Sequence, residues 1–324
     1  MKILFFGTPE FSIPSLTMLV EGGHEVLGVV TQPDKPKGRS LKLESPPVKV
    51  LALGKGIPVF QPASLKKDDF AGKVRGLKPD VIVVVAYGKI LPAKILDILP
   101  DRIINIHPSL LPAFRGAAPI NWAVIRGETR TGVTSMLLDE GMDTGKILLA
   151  RSMPIEPEDD AVTLSEKLAV LGAAVLSDTL KAIREGKLEP SAQDDSRATY
   201  APMLKKEDGS IDWQETSSQI HNLRRGLSPW PGAMTFLKQG KRVILGATRV
   251  GESDLLAMEP PGTVQRLSEH SLVVRCGGAT TLLVDALKPE GRNFMSGKEF
   301  LNGRYIGIGE SFEPPPTIPE PEKR

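Results

Sequence analysis

The chain has 324 residues, of which 40% are hydrophobic and 25% charged, and its formal net charge is +2. Such a balance excludes a disordered polyelectrolyte and a strongly basic, nonspecific nucleic-acid binder, both of which need a large charge excess. The length suits two compact cores better than one, and the single cysteine, Cys276, excludes an intramolecular disulfide and a cysteine metal cluster.

Short β-rich runs alternate with amphipathic stretches from the start. Lys2 to Gly7, His24 to Thr31, Ile57 to Gln61, Asp80 to Gly88 and Arg102 to His107 read as strands, several apolar enough for burial on both faces. Helical patterns lie between them near Pro14 to Gly22, Pro47 to Gly54, Lys66 to Arg75 and Leu91 to Leu99. This is the βαβ alternation of a Rossmann-like, open and mostly parallel α/β sheet. A helix at Ala118 to Arg126, two strands joined by "EGMDTG", and one long helix from Val162 to Glu185 complete a first domain, residues 1–189. The opening "MKILFF" is too short for a signal peptide, and no apolar run reaches the length of a bilayer span, so a cytoplasmic compartment is expected.

Residues 190–204 carry two prolines and no period, and read as a linker. Beyond them, a helix near Ser217 to Leu227 and the runs "GAMTFL", "KRVILGATRV", "GTVQRL", "SLVVRC" and "TTLLVDAL" predict a small β-barrel of oligonucleotide-binding (OB) type over residues 205–310. Trp213, Trp230 and Cys276 are expected in its core, and residues 311–324 are expected as a Pro-rich, disordered tail. Lys and Arg number 24 against 22 Asp and Glu in residues 1–189, and 14 against 12 in residues 205–310, so neither domain is basic overall. A nucleic-acid partner would have to be held by local clusters.

The stretch "NIHPSLLP", Asn105 to Pro112, places an amide and an imidazole two residues apart at the end of a strand, so both face the same way. In open α/β sheets that end is where ligands bind. Asp143 lies in "DEGMDTG", between two further strands of the same sheet. Taken singly, His107 could cap a loop and Asp143 could close an Asx turn. Together, Asn105, His107 and Asp143 can polarise a carbonyl, stabilise a tetrahedral oxyanion and move protons without a covalent nucleophile.

"NIHPSLLP", "RGAAPINWA" and "DEGMDTG", in that order after a βαβ sheet, resemble the folate-dependent formyltransferases. The opening "FFGTPEFS", the loop "TQPDKPKGRS" and the later "SPWPGA" narrow the resemblance to the branch that formylates methionyl initiator tRNA, and it covers Lys2 to about Tyr305. It implies 10-formyltetrahydrofolate as formyl donor, with no metal. It further implies that Asn105 holds the formyl oxygen, His107 stabilises developing charge and relays protons, and Asp143 holds His107 and helps take the amine proton. Ser109, Leu110, Leu111 and Pro112 would contact folate. The backbone of Val83 to Leu91, including Val85, Tyr87, Gly88 and Ile90, would wall the pterin pocket. A monomer is expected.

The polar stretch Gln32 to Pro47 carries Lys35, Lys37, Arg39 and Lys42. A loop of that length in a compact domain is usually functional or disordered, and the resemblance implies that it meets the tRNA acceptor stem, with Arg39 as the key contact. In the second domain Lys205, Lys206, Arg224, Arg225, Lys238, Lys241 and Arg242 are candidates for phosphate contacts.

Three rivals stand beside this reading. Glycinamide ribonucleotide formyltransferase shares the wording "NIHPSLLP". It would need a Gly-rich phosphate loop where "GTPEF" places Pro9, a histidine where Thr134 stands, and no second domain. A nicotinamide oxidoreductase would need a G-x-G-x-x-G that does not follow the first strand. A noncatalytic RNA-binding protein would have no use for Asn105, His107 and Asp143 together.

Overall fold

The computed structural model describes residues 1–37, 42–65, 70–253 and 258–315. They form two compact units. The first comprises Met1–Ile120, Thr129–Glu156 and Thr163–Met203, and the second Asn121–Glu128, Pro157–Val162 and the chain from Leu204 onward.

The first unit is built on a seven-stranded sheet in the order Ile147–Pro154, Arg130–Leu137, Ile103–His107, Val81–Val85, Lys2–Gly7, Glu25–Val30, Val59–Phe60. The last five run parallel, as their near-continuous apolar character predicts, whereas Arg130–Leu137 and Ile147–Pro154 are antiparallel. Alternation along each strand sorts side chains between two layers. Leu4, Phe6, Ile82, Val84 and Ile103 pack with the helix Phe70–Leu77 and with Ile95 of the short helix Ala93–Leu96. On the opposite face, Ile106 meets the helix Ala161–Arg184 so closely that a Cβ on Gly172 would lie 3.1 Å from its methyl group. The Ser135 and Thr179 hydroxyls, 2.7 Å apart and buried, fix this helix against the sheet. Each fully buried Leu or Ile of this kind contributes on the order of 2 kcal/mol.

The helix expected from Leu91 to Leu99 is a single turn, Ala93–Leu96. Pro92 caps its start and a run of turns follows to Asp101, from which Ile98 and Leu99 still pack against this face. Asn105 and His107 lie two and four residues beyond the buried Ile103, on the same face of the strand.

Of residues 190–204, expected as a linker, those up to Met203 are part of the first unit. Ser191 exchanges two backbone hydrogen bonds with Ile147, and Tyr200–Ala201 pairs in parallel with Arg115–Gly116. Polar composition misleads here because the segment's hydrogen bonds go to distant backbone that no local pattern reveals.

The second unit holds two four-stranded antiparallel sheets. One has the order Met234–Phe236, Arg242–Leu245, Ala286–Pro289, Met295–Ser296, and the other Thr248–Val250, Thr280–Val284, Ser271–Cys276, Val264–Ser268. The runs "KRVILGATRV" and "TTLLVDAL" each break into two strands, at Gly246–Ala247 and at Asp285, and thereby pass from one sheet to the other. Between the sheets lie Trp213, Val243, Leu272, Cys276, Leu282, Phe300 and Phe312. Trp213 stacks on Phe312 at 5.5 Å and donates its indole N–H to Thr235.

Two expectations change in this unit. Trp230 is 56% exposed, because Pro229 and Pro231 hold it in a turn rather than on a core-facing strand. The expected disorder does not begin at residue 311, since Phe312 is buried and Glu313 bridges to Phe236, while residues 316–324 lie outside the described residues. The unit also holds a helix, Gly297–Asn302, whose capping box of Ser296 and Glu299 is legible in "SGKE".

Candidate active site

The strand Ile103–His107 delivers Asn105 and His107 to a cavity of about 470 Å³ at its carboxyl end. That volume suits a small organic ligand. The loop after Val81–Val85 forms another wall, with Ala86, Tyr87, Gly88, Lys89 and Ile90. Its backbone is pinned: the Tyr87 carbonyl accepts from the Thr8 hydroxyl and the Gln32 amide, and the Val85 carbonyl accepts from the Ser12 hydroxyl. The Tyr87 ring turns into the core against Phe6 at 5.2 Å, where burial pushes its phenol up to about 12.

His107 is 4% exposed. Its Nε2 lies 3.0 Å from the carbonyl oxygen of Phe114, which can only accept, so Nε2 carries a proton and donates it. Nδ1 faces Asp143 Oδ1 at 3.7 Å. The other carboxylate oxygen, Oδ2, accepts from the Gly116 N–H at 2.9 Å. Asp143 itself has φ 55°, a left-handed conformation costly for a non-glycine residue. The loop around it is tightly tied. Asp139 Oδ1 accepts from the Gly141 N–H and the Thr144 hydroxyl, and a Cβ on Gly145 would fall 1.8 Å from the Leu137 carbonyl oxygen. An amide, an imidazole and a carboxylate thus converge on one cavity from two chain segments.

Of the residues expected to touch folate, Tyr87, Gly88 and Ile90 line this cavity, whereas Val85 and Ser109 to Pro112 do not. Ser109 to Pro112 form a turn beside it. The buried Ser109 hydroxyl donates to the Ala113 carbonyl, and Thr134, directly across from His107, donates to the Ser109 carbonyl and accepts from the Leu111 N–H. Sequence reading missed Leu96, Leu138, Met142 and Met203, which also line the cavity. Ile90, Met142 and Met203 are each more than half exposed, giving the mouth an apolar rim. Exposed large apolar residues on three separate loops give no periodic signal, so no local pattern marks them.

The stretch Gln32 to Pro47 contains a small antiparallel hairpin, Lys35–Lys37 with Lys42–Glu44. At its base Asp34 accepts from Lys49, Gln61 and Ser45, and its carboxyl is held below the usual range, first by Gln61 and then by Lys49. Lys35 is exposed, Lys37 and Lys42 belong to the hairpin strands, and Arg39 lies outside the described residues. In the second unit Lys205, Lys206, Lys238 and Lys241 are exposed, while Arg224 and Arg242 are half-buried. Arg225 is placed differently from its expected phosphate role. It is 9% exposed and donates to the carbonyls of Pro157 and Asp159 and to Asn222 Oδ1. Within this unit, that directs its guanidinium to internal acceptors.

Fold and site together define a formyl transferase. Residues 1–180 match the family model for formyl transferase, and residues 203–305 match that for the formyl transferase C-terminal domain. The methionyl-tRNA formyltransferase of Caldanaerobacter subterraneus subsp. tengcongensis is 52% identical over 310 residues, covering 95% of this chain and 99% of that protein. That of Geobacter sulfurreducens is 48% identical over 310 residues, covering 95% and 96%. The chain belongs to the methionyl-tRNA formyltransferase family. In fold it also resembles the N-formyltransferase of Helicobacter canadensis crystallised with folinic acid and dTDP-3-aminofucose. That match has a TM-score of 0.68 at 17% identity, over 88% of this chain and 98% of the other.

Proposed function

We infer that this protein transfers the formyl group of 10-formyltetrahydrofolate to the α-amine of methionyl initiator tRNA, supplying formylmethionyl-tRNA for translation initiation. The observation that carries the reading is the near end-to-end relationship to methionyl-tRNA formyltransferases, with 95% of the chain aligned at 52% identity. The glycinamide ribonucleotide alternative is the weaker one, because that relationship includes the second unit.

The cavity suits a flat heterocycle that carries a formyl group. Its walls and rim are largely apolar, and Asn105, His107 and Asp143 are among its few polar side chains, with Lys89 and Asp139. The donor supplies an activated formyl carbon. In this reading the Asn105 amide donates to the formyl oxygen as the amine attacks and negative charge grows there. The attacking amine must be neutral, and an α-amine titrates near ~8, so a sizeable share is free at neutral pH. His107, with Nε2–H committed to Phe114, has Nδ1 free to take the amine proton and return it to N10 as the bond from N10 to the formyl carbon breaks and tetrahydrofolate leaves, and the Asp143 carboxylate stabilises the transient imidazolium. Tyr87, Gly88 and Ile90 hold the pterin ring, with Ser109 to Pro112 as the supporting turn.

Lys35, Lys37, Arg39 and Lys42 meet the acceptor stem, and Lys205, Lys206 and Arg224 contact phosphates along the tRNA. Several local contacts rather than one basic face fit a net charge of +2. Among the described residues no helix is long and apolar enough to cross a membrane. The protein acts as a monomer in the cytoplasm.

The test is formyl transfer from 10-formyltetrahydrofolate with methionyl initiator tRNA, methionyl elongator tRNA and glycinamide ribonucleotide as parallel acceptors. Activity on the initiator alone is expected. Activity only on glycinamide ribonucleotide would keep the chemistry and overturn the acceptor.

A further inference from the structure

Asp143 occupies a costly backbone conformation at the point where its carboxylate is needed, and such conformations persist only when neighbours enforce them. One side chain grips the loop on both sides of Thr144. Gln193 Nε2 donates to the Asp143 carbonyl at 2.8 Å and to the Gly145 carbonyl at 2.7 Å. Its Oε1 accepts from Arg115 Nε at 3.1 Å and Nη2 at 2.8 Å. The amide can have only this sense, because a guanidinium only donates and a carbonyl only accepts. Arg115 is 3% exposed, and its Nη2 also donates to Asp195 Oδ1 at 2.7 Å. The next residue, Gly116, supplies the N–H that holds Asp143 Oδ2.

The same segment secures the other side of the imidazole. Thr199 Oγ1 accepts from the Phe114 N–H, and the Thr199 carbonyl accepts from the Arg115 N–H. The Phe114 peptide is therefore fixed where its carbonyl receives His107 Nε2–H.

We propose that Gln193, oriented by Arg115, is a positioning residue for formyl transfer that holds the Asp143 carboxylate beside His107. It touches neither substrate and acts through Asp143. The chain from Ser191 to Ala201 is then a brace for the catalytic groups. This rests on the formyl-transfer reading above.

The experiment combines Gln193→Met, close in size but unable to hydrogen-bond, with Asp143→Asn in a double-mutant cycle on the full chain, reading kcat and KM for both substrates. Gln193→Met is expected to lower kcat about 10- to 100-fold with both KM values nearly unchanged, the loss typical of a misplaced catalytic group. In the Asp143→Asn background the same substitution is expected to cost less than about 3-fold, since a residue acting through Asp143 has nothing left to position. Equal losses in the two backgrounds, or wild-type kcat in Gln193→Met, would overturn the proposal. Hydrogen–deuterium exchange of residues 139–146 gives a readout that needs no activity. Faster exchange confined to that loop is expected, and unchanged exchange would refute the brace. Should Gln193→Met not fold, Gln193→Glu keeps an acceptor for Arg115 while setting an oxygen against two carbonyls, and the same outcomes apply. Inactive wild-type protein would instead count against the formyl-transfer reading, leaving the exchange result to decide the brace.

Discussion

The Nε2 of His107 lies 3.0 Å from the carbonyl oxygen of Phe114, seven residues further along the chain. Phe114 has φ 60°, so this carbonyl is aimed by an unusual backbone conformation, and it assigns the ring proton. Nδ1, on the Asp143 side, is then the nitrogen able to gain a proton. The imidazole thus has one nitrogen committed to a carbonyl and one facing a carboxylate.

Asn105→Ala removes the donor assigned to the formyl oxygen. Turnover is expected to fall by about 10²- to 10³-fold, as when a single oxyanion donor is lost, with tRNA affinity little changed. Parallel measurement of kcat and tRNA Kd checks this, and unimpaired formylation would sink the assignment.

Asp143→Asn keeps an acceptor for the Gly116 N–H but removes the charge facing His107. We expect kcat to drop at least about 10²-fold, the scale of losing general acid–base assistance. Thermal stability should barely move. A drop in kcat matched by a large loss of Tm would point to a folding role instead.

Gly145→Ala inserts a methyl group 1.8 Å from the Leu137 carbonyl oxygen, a contact that the backbone must move to relieve. Because Gly145 is two residues from Asp143, the displacement should appear as a kcat loss of about 10²-fold, the cost of misplacing a catalytic group by roughly 1 Å. Stopped-flow formyl transfer beside a thermal melt separates this from general destabilisation, and normal turnover would refute it.

Arg39→Ala is expected to weaken use of methionyl initiator tRNA and leave folate binding intact. A lone phosphate or base contact of this kind is worth about 1–3 kcal/mol, or roughly 5- to 150-fold in KM. Comparable losses for both substrates would count against the assignment.

Cys276 is fully buried, and burial pushes its thiol up from 9.0 to about 12. Native protein should therefore resist an aromatic disulfide reagent at pH 8 and react fully once unfolded. The sign for stability follows. The folded state holds this proton more tightly, so its contribution is complete below about pH 9 and is lost as pH rises towards 12. Prompt reaction of native protein would contradict the burial.

The alternation in "IINIH" was enough to place Asn105 and His107 on one face at a strand end, and the βαβ order was enough to build the parallel sheet around them. Period and polarity are local properties, and they fix which face a residue occupies. They do not fix which distant segments meet. The 3.7 Å approach of Asp143 to His107, the grip of Gln193 on that loop, the burial of Arg225 and the exposure of Trp230 all depend on chain crossings and close packing. Residues 190–204 make the point most sharply: largely small and polar, without period, they read as a linker, yet those up to Met203 belong to the first unit. They are ordered because their hydrogen-bonding groups find partners on strands and loops tens of residues away, a match that exists only once the sheet has formed.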